Sequence, residues 1–139
     1  MTTLTISDEN IALFNKLRLE NYYSYILFGL SADNSTLELR GSGDKNYKFD
    51  SISSELPKQD VMFVIYNFNY ETYENPPRTT SKLLLISWSP LVAPMKRKFA
   101  LTNAVYQLKD AFRGIQKDFQ LTDYTEINYE DIRRELNRV

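Results

Sequence analysis

The 139-residue sequence contains no cysteine and no histidine. Without these residue types the chain can form no disulfide, no thiolate nucleophile and no zinc site of the usual Cys/His kind. The lack of histidine also removes the side chain that most often serves as a general base, which excludes Ser-His-Asp and Cys-His hydrolases. We therefore predict that the protein is not an enzyme and that it uses neither a metal ion nor a cofactor.

Long apolar runs are also lacking, as is an excess of charge of one sign. No stretch approaches the roughly 18 apolar residues of a membrane span, and charged residues interrupt the N-terminal segment, where a signal peptide would be apolar. Together these features predict a cytoplasmic protein. The 17 basic and 18 acidic side chains give a net charge of −1, so electrostatic recognition must come from a local cluster and not from a global field.

Aromatic residues, in contrast, are abundant at 14% of the sequence. Proteins that bind single-stranded nucleic acid stack bases on aromatic side chains along a basic groove, so this composition raises that function as an alternative. However, most of the 10 tyrosines and 8 phenylalanines fall in strand or helix-core patterns, and the isoelectric point of about 5.5 lacks the expected basic footprint. We therefore expect no nucleic-acid partner.

The order of the sequence patterns predicts a mixed fold. With 42% hydrophobic and 25% charged residues, the chain is long enough for one well-formed core, so we predict a single domain over residues 1–139. Helical and strand periodicities alternate along the chain, which is typical of α/β (α+β) proteins whose helices cover a sheet.

The first part of the chain predicts a helix followed by a β-hairpin. Ser7 suits a helix N-cap, and apolar residues recur at helical spacing over about residues 8–18. The aromatic and β-branched segment 22–30 and the segment 36–39 flank a polar turn, which indicates a hairpin. The segment 41–44 (GSGD) then interrupts the strand pattern, and we expect it to be a plain turn.

The central part of the chain predicts the middle of the sheet. A short helix is expected over residues 49–56, because Pro57 would end it. The nearly continuous apolar runs 61–68 and 83–88 indicate strands that are covered on both faces. The polar segment 69–81 between them contains two prolines and is predicted to be an exposed loop.

A long helix is predicted from Pro94 to about Phe112, with Gly114 as its stop signal. Its core stripe consists of Leu101, Ala104, Leu108, Ala111 and Phe112. A different face carries Met95, Phe99, Thr102 and Tyr106, beside Lys98 and Lys109. One buried stripe does not account for both sets, so either the helix kinks near Asn103 or its second face is a contact surface.

Basic residues form three local clusters. The strongest is Lys96-Arg97-Lys98, and another combines Arg78 and Lys82 around a proline-containing turn. The third lies on a last helix with Asn128 as its N-cap. There we expect inward-facing Tyr129, Ile132 and Leu136 and outward-facing Arg133, Arg134 and Arg138. A charge cluster is more often a solvated face than a binding site, so the residue types alone leave both interpretations open.

The segment 86–98 (ISWSPLVAPMKRK) closely resembles the signature of the ADF/cofilin family of actin-binding proteins. Further similarities follow in the family's order and spacing: YILFGL at 25–30, LP at 56–57, VIYN at 64–67 and TDYTEI at 122–127. The resemblance spans essentially the whole chain and is strongest to the cofilin branch. One departure is Leu91, which stands where the family usually has an acidic residue.

The resemblance implies an ADF-homology fold, which is a central mixed sheet flanked by helices on both sides. It also implies a protein that binds actin monomers and filaments and promotes filament severing and depolymerisation. The alternative is an interaction module of the same fold that acts on a non-filament partner without severing, as in glia maturation factor or coactosin. Phosphoinositide lipids are a second candidate partner. We expect a monomer at the actin cytoskeleton of the cytoplasm, with the nucleus as a further location.

By match to the family's motifs, the resemblance also assigns binding residues. Those assigned to contact both monomers and filaments are Thr2, Thr3, Leu4, Ile6, Met95, Lys96, Lys98, Phe99 and Thr102. Those assigned to a second surface that engages filaments are Arg78, Lys82, Arg134, Glu135 and Arg138. Thr2 stands where many relatives carry a phosphorylated serine, so it is a candidate phosphorylation site. No catalytic or metal-binding residue is assigned.

Overall fold

Helices and strands alternate through the computed structural model, which describes residues 3–20, 23–44 and 48–138. The elements are α1 (Asp8–Glu20), β1 (Tyr23–Leu30), β2 (Leu37–Asp44), a 3₁₀ segment (Phe49–Glu55), β3 (Met62–Glu71), β4 (Thr79–Trp88), α2 (Met95–Ala111), β5 (Lys117–Leu121), a 3₁₀ turn (Tyr124–Glu126) and α3 (Tyr129–Leu136). In the described parts of the chain, no helix has both the length and the apolar character needed to cross a bilayer.

The strands form one five-stranded mixed sheet in the order β2-β1-β3-β4-β5. Neighbouring strands are antiparallel except β4 and β5, which are parallel and are connected through α2. The predicted hairpin is the pair β1–β2, and β3 and β4 form a second hairpin in the sheet interior. Strand β3 is central in the sheet and β4 is next to it, so side chains on both faces of these strands are covered. This explains their nearly continuous apolar runs.

The core consists of two apolar clusters, one on each face of the sheet. On one face, the sheet packs against α1 and α2, and Phe112 stacks on both Phe14 and Phe28, with ring centroids 5.0 and 5.4 Å apart. On the other face, the 3₁₀ segment and α3 pack on the sheet around Phe68 and Trp88. Helices therefore cover both faces, and the predicted α+β class is confirmed.

The helix termini follow the predicted capping chemistry. The hydroxyl of Ser7 accepts a hydrogen bond from the Asn10 N–H at 3.1 Å, and the side chain of Asn128 accepts one from the Asp131 N–H at 3.1 Å. Both side chains satisfy an N–H that the first turn of a helix leaves unpaired. After the end of α2, Gly114 adopts a φ of +119°, a conformation that favours glycine.

The predicted turn at 41–44 is wrong, because β2 continues through Asp44. Gly41 pairs with Leu27 of β1, and Gly43 pairs with Tyr25. The Tyr25 ring lies across Gly43 so closely that a Cβ added there would lie 1.9 Å from the ring. Gly43 therefore provides room for an aromatic side chain of the neighbouring strand and does not mark the end of β2.

The predicted loop over residues 69–81 is shorter in the structure, because both of its ends belong to strands. Strand β3 extends to Glu71 and β4 begins at Thr79, so only residues 72–78 connect them. Tyr70 is buried while its neighbours Asn69 and Glu71 are exposed, which is the alternation of a strand with one covered face. Strand β5 has no counterpart among the predicted elements. It is a short strand whose residues are mostly exposed, and it pairs with β4 at one edge of the sheet.

Candidate functional site

One side of α2 packs on the sheet, and the other side presents large apolar side chains to solvent. The helix is continuous from Met95 to Ala111, so no kink at Asn103 hides its second face. Met95 and Phe99 are 62% and 63% exposed, and Tyr106 is 79% exposed. Met95 and Phe99 are four residues apart and therefore lie on the same side of the helix, one turn apart. Exposed apolar groups concentrated in this way mark an interaction surface.

The turn before α2 extends this apolar surface. Leu91 and Val92 are 80% and 70% exposed, and the ammonium of Lys98 donates a hydrogen bond to the Leu91 carbonyl at 2.6 Å. That bond holds the turn against the first turn of α2. Neither Leu91 nor Val92 was assigned to a site from sequence, although two successive apolar residues in a proline-flanked turn are a signal for it. We call the exposed side of this region the α2 face, consisting of Leu91, Val92, Met95, Lys96, Lys98, Phe99 and Thr102.

The predicted basic cluster 96–98 does not act as one cationic patch, because Arg97 points inward. Its side chain is only 14% exposed and forms an ion pair with Asp60, at 3.0 Å between Nε and Oδ1. The guanidinium also donates to the Asn34 side chain at 2.8 Å and to the carbonyls of Ser31 and Leu30 at 2.5 and 3.0 Å. Arg97 therefore fixes the start of α2 to the ends of β1 and β3.

The electrostatic environment of Asp60 reflects this contact. Partial burial acts to raise the pKa of Asp60, but hydrogen bonds from Arg97 and from the Val61 N–H, together with the Arg97 charge, outweigh it. The pKa of Asp60 consequently lies below its ordinary value, and the carboxylate is charged at neutral pH. The pair is thus a structural contact beneath the α2 face.

Two lysines of the cluster remain on the α2 face with different surroundings. Lys96 is exposed, and no acidic side chain within residues 3–20, 23–44 and 48–138 pairs with it. Lys98 is half-buried, and its ammonium is hydrogen-bonded to the Leu91 carbonyl. Further along the helix, Lys109 pairs with Asp118 of β5 at 3.0 Å. Lys96 is therefore the cation of the α2 face that is most available to an acidic partner.

The N-terminal segment lies beside α2, but its residues are not equivalent. Leu4 is buried in the core, and its N–H donates to the Gln107 side chain of α2 at 3.0 Å. Thr3 is exposed and Ile6 is half-buried. The structure thus places Leu4 in the core and not on the exposed surface, as a residue that holds the segment against α2. Thr2, the candidate phosphorylation site, lies outside the described residues.

The residues assigned to the second surface lie on or just after α3 and on the β3–β4 hairpin that α3 contacts. Arg134 and Arg138 are exposed and form ion pairs with Asp131 and Glu135 of α3, each at 3.1 Å. Exposed pairs of this kind contribute little to stability, so their cations remain accessible to a partner. We use the name α3–hairpin surface for the five residues Arg78, Lys82, Arg134, Glu135 and Arg138.

Contacts between α3 and the hairpin hold this surface together. Arg133 was predicted to point outward, but its Nε donates to the Glu71 carbonyl at 2.7 Å. The hydroxyl of Tyr129 donates to the Asn69 carbonyl at 3.1 Å. These bonds join α3 to the C-terminal end of β3. The outward prediction for Arg133 was wrong because strand β3 extends far enough to meet it.

Comparison with known proteins identifies similar chains along nearly the full length. The model of the family described as cofilin/tropomyosin-type actin-binding protein matches residues 3–137. Cofilin of Saccharomyces cerevisiae is 32% identical over 136 residues, covering 97% of this chain and 93% of the relative. Actin-depolymerizing factor 6 of Arabidopsis thaliana is 26% identical, covering 95% and 89%. The crystal structure of Streptomyces griseoflavus cofilin superposes with a TM-score of 0.83 at 27% identity, covering 95% of this chain and 96% of that one.

Proposed function

Because the chain belongs to the family of cofilin/tropomyosin-type actin-binding proteins, we propose that it binds actin and promotes the depolymerisation of actin filaments. Relatives in sequence are named cofilin and actin-depolymerizing factor, so an interaction module for a non-filament partner is not favoured. The observation that carries the proposal is the α2 face, where exposed Met95 and Phe99 lie beside the exposed cation of Lys96. An apolar centre with a charged margin is the composition of a protein interface.

The proposed mechanism is binding without chemistry of its own. The α2 face binds monomers and filaments, and the α3–hairpin surface adds contacts that only the filament supplies. A ligand shifts an equilibrium between two states by the difference between its affinities for them. The protein therefore weakens and severs filaments by binding more tightly to a filament arrangement that is prone to break than to the undisturbed one.

The charged and apolar residues of the α2 face have separate roles in this proposal. Met95 and Phe99, with Leu91 and Val92, supply apolar area that becomes buried on binding, and this contribution depends little on salt. Lys96 attracts an acidic partner, and Lys98 holds the Leu91 turn in position while adding charge. Thr3 and Thr102 are exposed at the margin of the surface.

The α2 face is tested by the double variant Lys96→Ala with Lys98→Ala. We expect at least about a tenfold weaker affinity for monomers and filaments, because loss of charged interface groups commonly costs about 2 kcal/mol or more. The measurements are titration with labelled actin monomers and cosedimentation with filaments. Arg113→Ala with Lys117→Ala is the matched control, since it removes two exposed positive charges beyond the C-terminal end of α2.

Normal cosedimentation of the Lys96/Lys98 variant would show that the α2 face is the wrong surface. Loss of affinity in the Arg113/Lys117 control as well would mean that general charge, and not this face, governs binding. A filament-length assay with the wild-type protein tests severing and depolymerisation directly. Filaments of unchanged length and unchanged disassembly rate would contradict the proposed function itself.

Phosphorylation of Thr2 is the regulation that we propose for this site. A phosphate adds about −1.5 to −2 charges, which would repel an acidic partner surface beside the α2 face. A Thr2→Glu variant is therefore expected to bind monomers more weakly than wild type, with Thr2→Ser as the neutral control. Equal affinity of Thr2→Glu and wild type would contradict this regulation.

The remaining assignments complete the proposal. We propose a monomeric single domain at the actin cytoskeleton of the cytoplasm, with the nucleus as a further location; microscopy of the labelled protein checks where it lies. Phosphoinositide lipids are a second candidate partner for the cations of the two surfaces. Flotation with vesicles that contain or lack a phosphoinositide checks this, and equal recovery from both would contradict it.

A further inference from the structure

The connection between β3 and β4 has a defined shape. At its base, the Thr72 N–H donates to the Arg78 carbonyl at 2.8 Å, and the Arg78 N–H donates to the Thr72 hydroxyl at 3.0 Å. Thr72 is itself buried at 6% exposure. The base of the loop is therefore closed by reciprocal bonds between Thr72 and Arg78, around a buried side chain.

Tyr73 is the first exposed residue of this loop, and α3 fixes it from one side. Its N–H donates to the Asn137 side chain at 3.0 Å. The Arg133 guanidinium lies 4.6 Å from the centre of the Tyr73 ring, within the range of a cation–π contact. Arg133 is positioned in turn by its bonds to the Glu71 carbonyl at 2.7 Å and to Glu130 at 3.1 Å. One face of the Tyr73 ring is thus in contact with the Arg133 guanidinium, whose own position is set by its bonds to Glu71 and Glu130.

The other side of the Tyr73 ring remains open, and the side chain is 54% exposed. Packing in the core does not explain an aromatic ring in this position. The loop and α3 also carry the cations of the α3–hairpin surface, Arg78, Arg134 and Arg138. Tryptophan, tyrosine and arginine are enriched among the residues that dominate the binding energy of protein interfaces. A tyrosine ring supplies a large contact area at little cost in conformational entropy.

We propose that Tyr73 is the aromatic contact of the α3–hairpin surface with the actin filament, and that Arg133 is its positioning residue. The inference rests on the proposed function, because it assigns Tyr73 to the filament surface and not to the α2 face. The filament would present an apolar spot flanked by carboxylates, which the Tyr73 ring and the neighbouring arginines complement. Neither Tyr73 nor Arg133 was assigned from sequence.

The test compares Tyr73→Ala and Tyr73→Phe in two assays, filament cosedimentation and titration of actin monomers. For Tyr73→Ala we expect about tenfold weaker filament binding with unchanged monomer binding. Tyr73→Phe keeps the ring and should bind filaments like wild type. Arg133→Leu removes the cation beneath the ring and should weaken filament binding about threefold, again with unchanged monomer binding. Global loss of folding would weaken both assays equally. If Arg133 acts only through the Tyr73 ring, adding Arg133→Leu to Tyr73→Ala should weaken filament binding no further, whereas an additional loss would show that Arg133 acts by holding α3 against the hairpin.

Wild-type filament affinity of Tyr73→Ala would overturn the inference, and so would an equal loss of monomer and filament binding. The variant Arg134→Ala with Arg138→Ala distinguishes the inference from the proposed function. If that variant loses filament binding while Tyr73→Ala does not, the surface is correct and the role of Tyr73 is wrong. If the wild-type protein itself does not cosediment with filaments, the proposed function fails and the inference fails with it.

Discussion

Asp60 links the α2 face to the sheet through a single ion pair, and this predicts a pH dependence of stability. Its folded pKa lies below the ordinary value of 3.8, so the unfolded state takes up this proton first as the pH falls. The stabilisation is therefore complete well above that value and is lost as the pH falls through the lower, folded pKa.

The Asp60→Asn variant removes this titration and checks the prediction. We expect it to unfold at lower urea concentration than wild type at pH 7, because the Arg97 guanidinium loses its charged partner. The difference between the two proteins should shrink as the pH falls below about 4. A constant difference from pH 7 to pH 3 would contradict the assignment.

Arg97 also shows which residue roles the sequence could not reveal. Its partners are 37, 63 and 66 positions away along the chain, and they meet only after the sheet and α2 have packed. The local pattern could predict a basic triplet at the start of a helix, but not which of the three side chains turns inward. The exposure of Met95, Phe99 and Thr102 was predictable, because the helical period separates them from the buried stripe.

Among the elements, strand β2 contains two glycines, Gly41 and Gly43. Replacing each of them by alanine tests whether glycine is required at that position. Gly43→Ala places a methyl group against the Tyr25 ring, whose hydroxyl donates to Glu55 and cannot move freely. We expect this variant to lose about 1–3 kcal/mol of unfolding free energy through overpacking.

Gly41→Ala is the matched control for this variant. A Cβ at Gly41 would make an ordinary contact of 3.8 Å with Leu27 on the same pair of strands, so the change should be close to neutral. Urea unfolding of both variants measures the difference. Equal stability of the two would show that Tyr25 can move aside and that Gly43 is not required there.

The elements differed in how well their sequences predicted them. Helices α1, α2 and α3 were predictable from capping residues and apolar spacing, and β3 and β4 from their buried runs. Strand β5 was not predictable in the same way, because Lys117, Asp118 and Gln120 are exposed at the sheet edge and its pairing with β4 depends on the path of α2. Hydrogen bonding to a neighbouring strand, and not local composition, makes it a strand.

For the molecule as a whole, the family resemblance predicted both proposed surfaces, whereas the residue pattern alone left them open. The helical periodicity of α2 allowed either a kink near Asn103 or a contact face, and the continuous helix from Met95 to Ala111 favours the contact face. The α3–hairpin surface needs residues from the β3–β4 connection, from β4 and from the α3 region, which are far apart in sequence. Tyr73 and the turn at Leu91 could be added to the two surfaces only from the folded chain. Both are exposed there; Tyr73 contacts α3 through Asn137, and Leu91 contacts α2 through Lys98.

Strand β4 runs from the hairpin at Thr79 to Trp88, shortly before the turn that leads into α2. Ten residues of extended chain span about 33 Å. The strand pairs with β3 along its whole length and with β5 over Leu84–Trp88. The hairpin that carries Arg78 therefore precedes one end of β4, and the turn at Leu91 follows the other end. If both surfaces bind one filament as proposed, we expect tight binding only to filament arrangements whose neighbouring subunits match the separation of the two strand ends.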